Sequence, residues 1–226
     1  MSIHQRPLII LPLLVLILGC DRAEHSPQNV ASTRPAPAAS GSISTPAPSG
    51  ATMAIQSAGG APAFQITPGP GDIKVSFAAD GQSSSIEGSR HSSGKRKYAQ
   101  NGRLIAEVKP TDTGFKVRSP DGKQLYWKIK READKVKISD NEQNDHPFIL
   151  KSKSDRIEVL GTDGKSLGAV RADSAGHRTV AEDSSGQILF TVVSDHSNRF
   201  LGVALMKEIP VAMRAIIMAE LSSADR

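Results

Sequence analysis

The sequence predicts a mainly β protein: a closed antiparallel barrel of about twelve strands, arranged as six hairpins, that encloses a hydrophobic C-terminal helix. Three observations predict this fold class. Polar turns recur along residues 64–194, alternating apolar and polar residues flank the turns, and one long apolar stretch follows at 203–222. Because aromatic residues make up only 4% of the 226 residues, the predicted core is built mainly from Ile, Val and Leu.

The polar turns are the clearest signal. Asn-Gly and Asp-Gly pairs between alternating apolar residues are typical of tight hairpins, because glycine readily takes the positive φ that type I′ turns need. Their glycines recur every 20–22 residues, with one gap of 42 whose midpoint is the polar turn 140–145; counting that turn gives six hairpins. The other turns read Ala79-Asp80-Gly81, Gln100-Asn101-Gly102, Pro120-Asp121-Gly122, Thr162-Asp163-Gly164 and Ser184-Ser185-Gly186.

The flanking segments alternate as strands do when one face is buried. Around the third turn, Phe115 and Val117 alternate with Lys116 and Arg118, and the same period continues after it. Antiparallel strands with one apolar face leave two exposed edges unless the sheet closes on itself. The pattern therefore favours a barrel, whose apolar interior must be filled.

The C-terminal stretch 203–221 is expected to fill that interior. Its charged residues are only Lys207, Glu208, Arg214 and Glu220, so a helix here is apolar around most of its circumference and must be buried. Pro210 favours a short helix over 201–208, a kink, and a second helix over 210–222, since proline is tolerated in a first helical turn. The alternative is a helix laid on one face of an open sheet.

A twelve-stranded antiparallel barrel around an axial hydrophobic helix resembles the fold of the tubby, phospholipid scramblase and LURP-one-like families. The resemblance covers about residues 64–222 and rests on the strand number, the repeated Asp-Gly hairpins and the closing helix. It implies binding or tethering at membranes, often through lipid headgroups, and no residue role is carried over. A second interpretation is a structural module, because residues 98–104 (YAQNGRL) resemble one unit of the YD (RHS-type) repeats.

The N-terminus is predicted to be a secretion signal followed by a lipid anchor. Residues 1–19 have a weakly basic start and a short apolar run, which are typical of a secretory signal peptide. The ending Ile17-Leu18-Gly19-Cys20 resembles the lipobox of bacterial lipoproteins, which implies acylation of Cys20, for example by palmitate. Asp21 resembles the inner-membrane retention signal of Gram-negative lipoproteins, which would place the folded part in the periplasm. An uncleaved anchor and a plain secreted protein are the alternatives.

Residues 20–63 are predicted to form a disordered tether between the lipidated cysteine and the barrel. They are rich in Pro, Ala, Ser, Gly and Thr and contain almost no large apolar side chains. Such a segment cannot bury enough apolar surface to offset its chain entropy. The barrel domain is accordingly predicted to cover residues 64–222.

No motif in the sequence predicts an enzyme, a cofactor or a metal site. A nucleophile elbow, a phosphate-binding glycine loop and a zinc-protease pair are absent. The turn 140–145 has oxygen ligands of the kind that calcium loops use, but it lacks their central Gly and distal Glu, so we interpret it as a solvated turn. The same holds for the histidines of the predicted folded part, which lie in or beside separate turns: His91, His146, His177 and His196.

The candidate binding site is a stripe of outward-facing basic residues on the strands around the third turn. If consecutive strands pair, one outer wall carries Lys116, Arg118, Lys128, Lys130, Lys135 and Lys137. Each such residue close to an anionic membrane surface contributes about 1 kcal/mol. The alternative is ordinary solubility, since Glu132 and Asp134 lie in the adjoining turn.

The sequence thus predicts a non-enzymatic cell-envelope lipoprotein whose barrel binds lipid headgroups or an envelope partner. A formal net charge of +5 suits an anionic surface, whereas no nucleic-acid motif is present. A carrier or chaperone that holds a lipid or apolar ligand inside the barrel is the alternative function.

Overall fold

Fourteen antiparallel strands form a closed barrel in the computed structural model, which describes residues 51–79, 81–194 and 198–224. Each strand pairs with its neighbours in sequence, and the first strand pairs with the last. This closure excludes an open ladder of hairpins. The strands are β1 (Met53–Ser57), β2 (Pro62–Pro68), β3 (Asp72–Ala79), β4 (Gln82–Arg90), β5 (Arg96–Gln100), β6 (Arg103–Thr111), β7 (Gly114–Arg118), β8 (Leu125–Arg131), β9 (Lys135–Ser139), β10 (Phe148–Ser152), β11 (Arg156–Leu160), β12 (Ser166–Asp173), β13 (Arg178–Asp183) and β14 (Ile188–Val193).

The predicted antiparallel barrel is confirmed, but it has fourteen strands rather than twelve because it begins at Met53. β1 and β2 form a seventh hairpin, in which the Ser57 N–H donates to the Ala61 carbonyl at 2.8 Å. The predicted end of the tether at residue 63 is therefore wrong, because the β1–β2 hairpin already begins at Met53. The first of its strands escaped notice because Ile55 is the only buried residue of β1, whereas β2 shows alternation at Phe64 and Ile66.

The two rims of the barrel carry different connections. We call the rim at which β1 begins and β14 ends the entry rim; it also carries the loops 69–71, 91–95, 112–113, 132–134, 153–155 and 174–177. The opposite, far rim carries the six predicted turns. At one of them, Asn101 and Gly102 both have positive φ, 51° and 74°, as a type I′ turn requires.

Two helical segments of the C-terminal stretch run through the barrel in opposite directions. A 3-10 helix (Arg199–Leu205) leads inward from the entry rim, and α1 (Val211–Ala224) returns to it. The two helical segments expected on either side of Pro210 within the stretch 203–222 are present, but the chain reverses between them instead of kinking, and Lys207 and Glu208 are exposed at the reversal. Pro210 lies at the start of α1 as expected, since its carbonyl accepts from the Arg214 N–H at 2.9 Å.

The helix α1 is enclosed on every side. Five consecutive residues, 215–219, are each 0% exposed. Because successive residues of an α-helix point about 100° apart, these five cover the whole circumference. Side chains alone fill a barrel of about eight strands, so fourteen strands leave a space that the two segments occupy. The predicted enclosure is confirmed, and the alternative of a helix on one face of a sheet is wrong.

The two charged residues within α1 have specific partners at its ends. Near the far rim, Arg214 Nη1 donates to the Ala204 carbonyl of the 3-10 helix at 2.9 Å. At the entry rim, Glu220 Oε1 accepts from Arg96 Nη1 and from the Tyr98 hydroxyl, both at 2.8 Å. Burial, with the Glu220 charge added, raises the pKa of Tyr98 well above its ordinary value, so the phenol stays protonated and donates. These contacts fix α1 along the barrel axis.

A glycine in the 3-10 helix tests whether the interior is filled. A Cβ at Gly202 would lie 2.6 Å from Leu150 Cδ2 and 3.0 Å from Val159 Cγ2. Because an overpacked core costs about 1–3 kcal/mol, we expect Gly202→Ala to lower the free energy of unfolding by about that amount in urea denaturation. Gly59→Ala is the control: its Cβ would meet nothing within 4 Å, so it should change stability by less than about 0.5 kcal/mol. Equal stabilities of the two variants would contradict a tightly filled interior.

Candidate anion-binding surface

The six predicted basic residues lie together on the outer wall of β7, β8 and β9, and we call them the basic stripe. Buried apolar residues alternate with these cations along the three strands, at Phe115, Val117, Ile129, Val136 and Ile138, and this turns the cations outward. The register places Lys116 directly opposite Lys128, and Lys130 opposite Lys137. The members of the stripe are Lys116, Arg118, Lys128, Lys130, Lys135 and Lys137.

Like charges directly opposite each other in a sheet are destabilising, so these pairs need compensation. At the half of the stripe nearer the far rim, the compensation comes from Glu142. Its carboxylate lies 2.6 Å from Lys116 Nζ, 2.9 Å from Arg118 Nη2 and 4.0 Å from Lys128 Nζ. One acidic residue of the turn 140–145 therefore serves three cations on two strands.

The half nearer the entry rim repeats the arrangement with Glu132, from the loop between β8 and β9. Its carboxylate oxygens lie 3.3 Å from Lys130, 3.3 Å from Lys135 and 3.2 Å from Lys137. Lys151 on β10 lies opposite Lys135 and extends the basic surface by one strand. The stripe is thus two clusters, each of three cations around one carboxylate.

Both carboxylates remain ionised at neutral pH. The hydrogen bond from Lys137, followed by those from Lys135 and Lys130, lowers the pKa of Glu132 to about 2. The hydrogen bond from Lys116 and the charges of the other cations lower the pKa of Glu142. Six cations and two carboxylates leave a net charge of +4, and the side chains of the cations are 21–42% exposed. The ammonium and guanidinium groups can therefore reach an anion in solvent.

The turn 140–145 supports the stripe, and its polar atoms bond to one another. Ser139 Oγ donates to Asn144 Oδ1 at 2.8 Å, and Asn141 Nδ2 donates to the Asp145 carbonyl at 2.9 Å. Among the described residues, no group of three His, Cys, Asp or Glu side chains could hold a metal ion. Sequence reasoning missed the role of Glu142, because a turn's conformation does not follow from its composition.

Other predicted features are spread over the molecule or lie outside the described residues. His91 and His177 are at the entry rim and His146 is at the far rim, so the turn histidines do not converge. The signal peptide, Cys20, Asp21, residues 20–50 of the tether and His196 lie outside the described residues. In the part of the chain that the structure describes, no helix has the length and apolar character needed to cross a membrane.

The clustering of cations around Glu132 predicts a measurable titration. We expect its carboxyl to titrate near pH 2, and Lys137→Gln to raise that pKa because the strongest hydrogen bond is lost. A depressed folded-state pKa stabilises the fold above the ordinary Glu pKa, and this contribution disappears as the pH falls toward 2. NMR titration of the side-chain carboxyl carbon measures the value. Lys97→Gln on β5 is the control and should leave it unchanged; an unmoved pKa in Lys137→Gln would contradict the cluster.

Comparison with known proteins finds no match: no family model, no curated protein sequence and no solved structure matches this chain. The resemblance to the tubby, scramblase and LURP-one-like families therefore stays a prediction from architecture. Any function must be inferred from the geometry and charge of the chain's own residues.

Proposed function

We propose that the chain is a non-enzymatic lipoprotein of the bacterial cell envelope whose barrel binds anionic lipid headgroups through the basic stripe. The arrangement of the stripe carries this proposal: six cations lie on three adjacent strands around only two carboxylates. With about 1 kcal/mol per basic residue near an anionic membrane surface, a net excess of four charges supplies roughly 4 kcal/mol. That is enough for reversible attachment of a domain that is already held nearby.

The chain's connectivity supports the same proposal. β1 begins at the entry rim, so residues 1–52, with the predicted lipid anchor at Cys20, join the barrel there. The Glu132 cluster of the stripe lies at this rim as well. Two membrane contacts joined by a chain reinforce each other, because the first raises the effective concentration of the second. In this proposal the acyl chains anchor the protein to the inner membrane, and the stripe orients the barrel on its periplasmic surface.

The filled interior favours the outer wall over the cavity as the lipid-binding surface. A lipid carrier would need the 3-10 helix and α1 to leave the barrel, although most of their apolar side chains are buried. Their departure would also break the Arg96–Glu220 ion pair, and removing one partner of a buried pair costs about 3–5 kcal/mol.

Charge reversal within the stripe tests the proposal. In the full-length chain carrying Cys20→Ser, which cannot be acylated, we combine Lys128→Glu, Lys130→Glu and Lys135→Glu. Because each lost cation removes about 1 kcal/mol, affinity for vesicles containing phosphatidylglycerol should fall by about 100-fold or more. Co-sedimentation with vesicles measures the affinity, and circular dichroism confirms that the variant folds.

The matched control makes the same change of charge outside the stripe, with Lys74→Glu, Lys97→Glu and Lys165→Glu. It should lose far less affinity, because these residues do not lie on the stripe's wall. Equal losses of vesicle affinity in the two variants would mean that overall charge, and not the position of the stripe, determines binding. Unchanged affinity in the stripe variant would remove the proposal and leave an acidic protein surface as the partner to look for.

A second substitution should act in the opposite direction. Glu142→Gln removes the carboxylate that compensates Lys116, Arg118 and Lys128, so we expect about fivefold tighter binding to the same vesicles. Glu87→Gln is the control, because it changes the net charge equally but lies on β4 opposite Lys74. Weaker binding by Glu142→Gln than by the parent chain would contradict the stripe as the contact surface.

A further inference from the structure

A cleft of ≈ 490 Å³ opens at the entry rim beside the C-terminus of α1. Arg90 at the end of β4 and Arg131 at the end of β8 line it, with Val108, Pro110 and Phe115 as an apolar wall. Its volume falls in the range of about 300–1,000 Å³ that is typical of small-molecule sites. The cleft lies at the entry rim, and Arg90 at its edge is exposed, whereas the basic stripe lies on the outer wall.

The two arginines of the cleft differ from a third at the same rim. Arg96 lies opposite Arg90 in the register of β4 and β5, and its guanidinium is paired with Glu220 at 2.8 Å. Within the described residues, neither the Arg90 nor the Arg131 side chain has a hydrogen-bond acceptor or an ion-pair partner. The Arg131 Nε is also shielded from solvent. A buried donor without an acceptor destabilises the fold, and a bound acceptor would recover that cost.

The charges around the cleft leave room for an anion. Two carboxylates line the cleft, those of Glu220 and Asp112. Glu220 is engaged by Arg96 and by Tyr98, and Asp112 lies in an exposed loop. Arginines near a helix C-terminus can also simply complement its partial negative charge. That role would have given the Arg131 side chain a helix carbonyl as acceptor, and none of the described carbonyls accepts from its guanidinium.

We propose that Arg90 and Arg131 bind the phosphate group of a phosphate monoester in this cleft, with the organic part of the ester against Val108, Pro110 and Phe115. Guanidinium groups are planar donors that hold phosphate oxygens in pairs, and they bind phosphate more specifically than a lysine point charge does. The same group occurs in soluble esters and in the headgroup of phosphatidic acid. The proposal does not rest on the basic stripe or on acylation of Cys20.

Binding of phenyl phosphate to the full-length Cys20→Ser chain tests this site. We expect a saturable calorimetric signal and a melting temperature that rises with phenyl phosphate concentration, because the ligand binds only the folded state. Arg90→Gln and Arg131→Gln should each weaken binding by about tenfold or more, the loss expected for a charged hydrogen-bond partner. Lys109→Gln is the matched control: it removes one exposed charge near the same rim, does not line the cleft, and should leave binding intact.

Three results would overturn the proposal: no binding of phenyl phosphate, an equal loss in Lys109→Gln, or an Arg131→Gln chain that is less stable without phosphate but still binds it normally. The last result would assign Arg131 to the helix C-terminus. Vesicles containing phosphatidic acid distinguish the two sources of the ligand. If Arg131→Gln weakens binding to them, the site takes the lipid headgroup; if only phenyl phosphate binding is lost, it takes a soluble ester. Either result supports the site, and stripe variants, which keep both arginines, should bind phenyl phosphate as the parent does.

Discussion

The fold depends on a mutual requirement between the barrel wall and the two apolar helical segments that it encloses. A helix without a polar face cannot remain in water, and a closed sheet of fourteen strands is too wide to be filled by its own side chains. Each large apolar side chain that becomes buried contributes about 1.5–3 kcal/mol, which is considerable against a total stability of about 5–15 kcal/mol. Closure rests on β1 and β14, so the described wall is complete only when its first and last strands meet.

Polar contacts near the two rims then determine the position of α1 inside the barrel. An apolar interior alone would allow α1 to slide or reverse, because van der Waals packing has little directional preference. Arg214 near one end and Glu220 near the other have partners that exist only in the observed position. Gly88 is part of this arrangement, since a Cβ there would lie 2.5 Å from the Tyr98 ring and would displace the donor to Glu220. The contacts near the rims thus fix the orientation of α1 in the barrel.

Local sequence rules were sufficient wherever a structural feature depends on neighbours in the chain. The glycine turns, the alternation of β7 and β8, and the helix start at Pro210 follow from such rules, and the stripe follows from pairing of consecutive strands. β1 was not predicted, although it pairs with its neighbour β2 as well as with the distant β14, because it buries only Ile55. The carboxylate contacts of Glu142 and the cleft position of Arg131 depend on loop conformation and barrel closure, which periodicity does not encode.

The proposal that the stripe binds anions draws on the charge pattern of the outer wall. Solubility is satisfied by opposite charges across a strand pair, as between Lys74 and Glu87 on β3 and β4. On β7 to β9 the chain instead places lysine opposite lysine, an arrangement that costs up to about 1 kcal/mol per pair. It then brings one carboxylate from each rim to offset part of the repulsion, and a positive excess remains. Like charges also face each other at Arg156 and Arg171 and at Arg90 and Arg96, so what distinguishes the stripe is that three adjacent strands share two carboxylates and keep a positive excess.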